Sequence, residues 1–258
     1  MPTLDRDGLT IAYQVHGVSG LTPLLLTHGY SASSAMWGRN IPALTTHRQV
    51  VTWDLRGHGH SASPSNPVAY SQSASVSDMA AILDACRMPQ AAVGGLSLGG
   101  YLSLAFHLAY PERVASLLLF DTGPGYKRDD GRRRWNEWAE ATAKSFENSG
   151  TAALSDSPEV GSGPHDANGL ALAARGILTQ TDARVIESLP SVKVPTLVLV
   201  GAEDRPFLGP TDYMAAKIPG ATKTVIPHSG HAPNIDNPAA FNDAVTAFLR
   251  ESDQANAR

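Results

Sequence analysis

Short apolar runs alternate along the chain with longer segments of helical spacing. Residues 9–17, LTIAYQVHG, alternate with a period of two, which predicts a half-buried strand. The runs inside PLLLTHG (23–29), QVVTWDLRGHGHS (49–61), AAVGG (91–95), VASLLLFDTGPG (114–125) and VPTLVLVGAED (194–204) are instead apolar without a break. Strands of that kind are buried on both faces, as in a parallel sheet. TKTVIPHSGH (222–231) supplies one more strand and the turn after it. Between them lie helices. In residues 75–88, Val76, Met79, Ala80, Leu83 and Cys86 share one face. LSLGGYLSLAFHLAY (96–110) continues until Pro111 stops it, and PAAFNDAVTAFLR (238–250) is amphipathic. Strand–helix alternation of this type predicts an α/β fold, a mostly parallel central sheet flanked by helices. Its functional groups belong at the carboxyl ends of the strands.

One stretch departs from that pattern. Residues 127–147, KRDDGRRRWNEWAEATAKSFE, are about half charged, yet Trp135, Trp138, Thr142 and Phe146 fall on a single helical face. Residues 155–169 are rich in turn formers and read as a loop, and LALAARGILTQ (170–180) returns to a helix. The expectation is one domain made of residues 1–126 and 188–258, carrying a small helical insertion at 127–187 over the strand ends. Trp135, Trp138 and Phe146 are candidates for contact with a substrate, with packing of the insertion as the competing role. Arg132, Arg133 and Arg134 are read as a solvated helix face rather than an anion site.

The strand ends carry the chemistry. Ser97 stands between Gly94-Gly95 and Gly99-Gly100, after a strand and before a helix. Gly95-Leu96-Ser97-Leu98-Gly99 is a G-x-S-x-G sequence, in which a sharp turn lifts a serine hydroxyl above the sheet. A serine hydroxyl needs a base to attack a carbonyl. His231, in a glycine-containing loop between the last strand and the last helix, is the candidate, with His228 as the alternative. The base in turn needs a carboxylate to orient it. Asp204, at the end of an apolar strand, is the candidate, and Asp121, at the end of the preceding strand, is the alternative; Glu203 is expected to face solvent. Two backbone N–H donors should receive a developing oxyanion: that of Leu98, directly after the serine, and that of Tyr30, after the His28-Gly29 turn. Asp54 and Arg56 are expected to hold the scaffold through hydrogen bonds. His58 and His60 lack the further ligands a metal site would need, so no metal and no cofactor is expected.

Taken in order, HGY (28–30), DLRGHGHS (54–61), GLSLGG (95–100), GAEDRPF (201–207) and SGHAPNIDNP (229–238) resemble the α/β-hydrolase superfamily. The resemblance covers nearly the whole chain outside the insertion. It is to the branch that holds carboxylesterases, 3-oxoadipate enol-lactonases and meta-cleavage-product hydrolases. It implies an α/β-hydrolase fold with residues 127–187 as a cap, and a cofactor-free serine hydrolase acting on a small ester or lactone. The alternatives are hydrolysis of a C–C bond in a diketone by the same three side chains, and a non-catalytic small-molecule receptor. The aspartate-nucleophile branches, haloalkane dehalogenases and epoxide hydrolases, are disfavoured by Ser97.

Composition narrows the setting. The 258 residues are 42% hydrophobic and 17% charged with a net charge of −4, enough for a sizeable core and without the basic footprint of a nucleic-acid binder. No apolar run approaches the roughly 18 residues that span a membrane. The first residues lack the basic-then-apolar pattern of a secretory leader. Cys86 is the only cysteine, so no internal disulfide can form, and a reducing, cytoplasmic setting fits. Cys86 itself is expected to fill space in a helix. A homodimer is compatible with the sequence, but no surface stripe demands it.

Overall fold

The computed structural model describes residues 2–161 and 163–256. Its centre is one eight-stranded sheet: β1 (Thr3–Arg6), β2 (Leu9–His16), β3 (Leu24–Thr27), β4 (Val50–Trp53), β5 (Ala91–Leu96), β6 (Val114–Phe120), β7 (Thr196–Gly201) and β8 (Thr222–Ile226). The spatial order is β1-β2-β4-β3-β5-β6-β7-β8. β2 runs antiparallel to both β1 and β4, and every pairing from β4 to β8 is parallel. β3 to β7, with β4, are buried at every position, whereas β8 is largely exposed at one edge.

The helices are α1 (Ile41–Leu44), α2 (Gln72–Ala85), α3 (Leu98–Ala109), α4 (Asp129–Ser149), α5 (Ala167–Ala173), α6 (Arg184–Ser188), α7 (Arg205–Lys217), α8 (Pro233–Asp236) and α9 (Pro238–Asn256). Successive strand residues point to opposite faces, and the sheet sorts its apolar side chains accordingly. Leu25, Val51, Val93, Leu117 and Val198 join Met79 and Ile82 of α2, Leu102 and Phe106 of α3 and Met214 of α7 in one core. Leu24, Leu26, Leu118, Phe120 and Leu199 meet Trp37, Phe241 and Val245 in the other, Phe241 lying edge-on to Phe120 with ring centroids 4.9 Å apart. The parallel centre thus lies between two apolar layers, and its carboxyl ends are free to carry polar groups.

Besides the short helices α1, α6 and α8, which the sequence reading did not anticipate, three further elements differ from the expectation. β1 forms a hairpin with β2 through Asp7, at φ 57°, and Gly8, at φ 82°. α7 was not expected, because Gly209 and Pro210 stand in its middle. The expected helix at 170–180 divides into α5 and a single π turn, Ala174–Leu178. Cys86 is half-buried against the α2 side of the core, as expected of a filler.

Candidate active site

Ser97 is the single residue between β5 and α3, at φ 55° and ψ −115°. A non-glycine residue held at positive φ stores about 1–3 kcal/mol, so the surroundings must impose the conformation. Its N–H donates to Phe120 O at 2.9 Å, and its carbonyl accepts from the Thr122 hydroxyl at 2.6 Å. The neighbouring glycines are there for contact distance. A Cβ on Gly95 would stand 2.4 Å from Thr27 O, and one on Gly99 would stand 2.2 Å from the same oxygen. α3 begins directly after Ser97, so its positive end faces the serine.

Asp204 and His231 arrive on the loops that leave β7 and β8. Those loops are laced together by Ala202 N–H to Ile226 O and Glu203 N–H to Ser229 O, both 2.9 Å. They approach so closely that a Cβ on Gly201 would fall 2.0 Å from Gly230 O. The lacing brings His231 Nδ1 to 2.7 Å from Asp204 Oδ2. Accepting that bond, the Asp204 carboxylate fixes Nδ1 as the protonated nitrogen and leaves Nε2 as a base. Phe207 lies against the imidazole, ring centroids 4.8 Å apart. Of the alternatives, His228 is exposed at a tight turn, φ 54°, and Glu203 is exposed as expected.

Asp121 is the other carboxyl of this group. It is fully buried at φ 41°; its Oδ1 accepts from Gly201 N–H at 2.8 Å, and its Oδ2 meets no hydrogen-bond partner among the described residues. One ligand-type atom each from Asp121, Asp204 and His231 lies within 4.8 Å of the others. Such a trio can suggest a cation, but the 2.7 Å His231–Asp204 separation is that of a hydrogen bond, with a proton between the atoms. Burial, opposed by the Gly201 N–H and reinforced by the Asp204 carboxylate, pushes the Asp121 carboxyl up to about 10. Its charged form is disfavoured where it lies.

The loop after β3 is built by histidines whose purpose the sequence did not disclose. His28 Nε2 accepts from Leu55 N–H at 3.0 Å, so its Nδ1–H donates to Gly29 O at 2.7 Å. His58 Nε2 accepts from Ser31 N–H at 3.1 Å, and its Nδ1–H donates to Arg56 O at 3.0 Å. Burial holds both below the ordinary imidazole value, His58 at about 3, with His28 adding to the effect. Both nitrogens of each ring are therefore committed to the backbone, and His60 is exposed. Asp54 accepts from Ser34 and His60 N–H at 2.7 and 2.9 Å, and Arg56 grips Asp78 with two bonds of 2.7 and 2.9 Å, the scaffolding role expected of both. The loop presents Tyr30. Among the described residues, neither the Tyr30 nor the Leu98 backbone N–H makes a hydrogen bond, and both residues line the cavity above Ser97.

That cavity has a volume of about 660 Å³, and Ser97, Asp204 and His231 share its wall. Trp135 and Trp138 line it too, their rings 4.7 Å apart; Trp135 is anchored by Nε1–H donating to Leu178 O at 2.7 Å, and Trp138 is half exposed. Phe146 does not reach the cavity. It is 4% exposed in a separate cluster with Ala143, Leu170 and Ala174, edge-on to Tyr30. Eleven residues along a helix is about 16 Å, which carries Phe146 past the cavity although it shares a face with Trp135. Of the three aromatic candidates, Trp135 and Trp138 line the cavity, and Phe146 takes the competing packing role. Tyr126, Gln180, Phe207 and Tyr213 line the cavity without having been singled out. They come from four separate segments, and no spacing links them.

The alpha/beta hydrolase family model matches residues 24–244. The chain belongs to this family. Its fold is the α/β-hydrolase fold, and a thermophilic esterase from Thermogutta terrifontis superposes on it with a TM-score of 0.82 at 28% identity, covering 97% of each chain. Among curated proteins, the putative 2-succinyl-6-hydroxy-2,4-cyclohexadiene-1-carboxylate synthase of Bacillus subtilis is 27% identical over 94% of this chain and 96% of its own. 3-Oxoadipate enol-lactonase 2 of Acinetobacter baylyi is 27% identical over 96% of both. The relatives of this hydrolase thus span several substrates on one scaffold. Among the described residues, no helix is long and apolar enough to cross a membrane.

Proposed function

We propose that this chain is a cofactor-free serine hydrolase of small carboxylic esters or lactones. The observation that carries this reading is the 2.7 Å His231–Asp204 bond on the wall of the cavity that also holds the strained Ser97. Ser97 Oγ attacks the substrate carbonyl carbon as its proton passes to His231 Nε2. The imidazolium is stabilised by Asp204. The oxyanion rests on the Tyr30 and Leu98 N–H groups, which have no competing partner among the described residues. Collapse of the tetrahedral intermediate breaks the bond to the alkoxide, which takes the proton from His231. Water, deprotonated by the same nitrogen, then releases the acid and restores Ser97. Residues 127–187 serve as the cap over this cavity, and Trp135 and Trp138 meet the substrate.

The reading is tested with 4-nitrophenyl esters from acetate to octanoate, run beside Ser97→Ala. The expected result is turnover in the native protein that falls at least about 10⁴-fold in the variant, with the thermal midpoint little changed. Turnover that survives in Ser97→Ala would overturn the assignment.

A further inference from the structure

The charge of the cavity selects among the substrates that this fold can serve. Among the described residues that line it, none is Lys or Arg, and the two charge-bearing ones, Asp204 and His231, are bonded to each other. Lys127 and Arg205, chain neighbours of the lining Tyr126, Asp204 and Pro206, are exposed to solvent and are not part of the wall, and three arginines are held in ion pairs. Arg132, only 14% exposed, donates to the Tyr126 and Lys127 carbonyls and pairs with Asp129. Arg184 pairs with Asp182, and Arg175 bridges Glu140 and Glu147. Apart from Ser97, Thr122, Ser157 and Gln180, the remaining surface is apolar or aromatic. Tyr126, Trp138 and Tyr213, between 38% and 50% exposed, stand along the cavity with Ile186 and Phe207. Exposed large aromatic groups gathered on one cavity are a binding surface for an apolar group.

We infer that the substrate is electrically neutral, an ester or lactone whose substituents are apolar or aromatic and carry no carboxylate or phosphate. An anion entering here would lose its hydration, find no cation and lie near the Asp204 charge. Two of the relatives described above are named for carboxylate-bearing compounds, a cyclohexadiene carboxylate and an oxoadipate. The inference therefore separates this chain from them by chemistry at similar identity. It rests on the serine-hydrolase reading.

The experiment compares two esters of the same acyl chain whose far ends are charged and uncharged, mono-4-nitrophenyl adipate and its methyl ester. Each rate is divided by that ester's own hydroxide rate. The expected result is a kcat/KM for the neutral ester at least about 100-fold above that of the anion. Ile186→Lys, at a partly exposed lining position, should narrow that ratio at least about tenfold. Tyr213→Lys serves the same purpose at a more exposed position should Ile186→Lys not fold. Equal rates, or preference for the anion, would overturn the inference and leave the hydrolase reading standing. So would failure to cleave either ester while a fluorophosphonate still labels Ser97. Failure of both cleavage and labelling would remove the underlying reading, and the inference with it.

Discussion

Two aspartates stand within reach of His231, and they differ in surroundings. Asp204 accepts the Nδ1–H, and Asp121, wholly buried, has its charged form disfavoured. An amide is close in shape to a neutral carboxyl and makes a poor copy of a charged one. Asp204→Asn should therefore lower kcat by about 10⁴-fold, through loss of the correct tautomer. Asp121→Asn should stay within about tenfold of the native rate in the same ester assay, because its amide oxygen can still accept from Gly201 N–H. The opposite ranking would move the orienting role to Asp121. The stability consequence has a definite sign. Asp121 has a folded-state value raised from 3.8 to about 10, so the unfolded chain ionises it first. Its contribution is fully present below the unfolded value and is lost as pH rises toward the folded one. Asp121→Asn should thus gain thermal midpoint relative to the native protein between about pH 5 and 9. At Gly99 the constraint is steric. Gly99→Ala should cost about 1–3 kcal/mol in denaturant unfolding, since its Cβ would meet Thr27 O and His28 O.

At the level of elements, legibility followed the pattern that each element imposes. β3 to β7 were readable because parallel strands buried on both faces must be continuously apolar. The turn at Ser97 was readable because close approach demands glycines at fixed offsets. β1 was not, since TLDR offers only one apolar side chain to the hairpin. α7 was hidden by Gly209 and Pro210, and only tertiary contacts from Met214 and Ile218 compensate for them. Within α4 the helical face was legible, but its length was not divided between what it covers: Trp135 and Trp138 stand over the cavity and Phe146 over Tyr30. α4 and α5 are joined to the rest by side-chain bonds, Tyr30 O–H to Leu170 O at 2.8 Å among them. Tyr30→Phe should lower stability by about 1 kcal/mol and speed amide hydrogen exchange in α5, whose Leu170 carbonyl loses that partner.

For the molecule as a whole, the order Ser97, Asp204, His231 along the chain was legible before any geometry. The buried histidine framework under the Tyr30 loop was not, because a histidine that serves the backbone looks in sequence like one that serves a ligand. Its energetic signature is global. His58 has a folded-state value lowered from 6.5 to about 3, so as pH falls through that window the unfolded chain takes up a proton the native state refuses. The stability is present above 6.5 and lost on acidification. The unfolding midpoint in urea should fall between about pH 7 and 4, and His58→Gln should flatten that slope while lowering the midpoint at neutral pH.

Tyr30 connects these scales. It lines the cavity together with Ser97, and its hydroxyl donates to Leu170 O of α5. One residue therefore ties α5 to the loop that follows β3. A change at Leu170 is expected to reach the backbone beside Ser97 through this one side chain, without alteration of any other residue of the cavity wall.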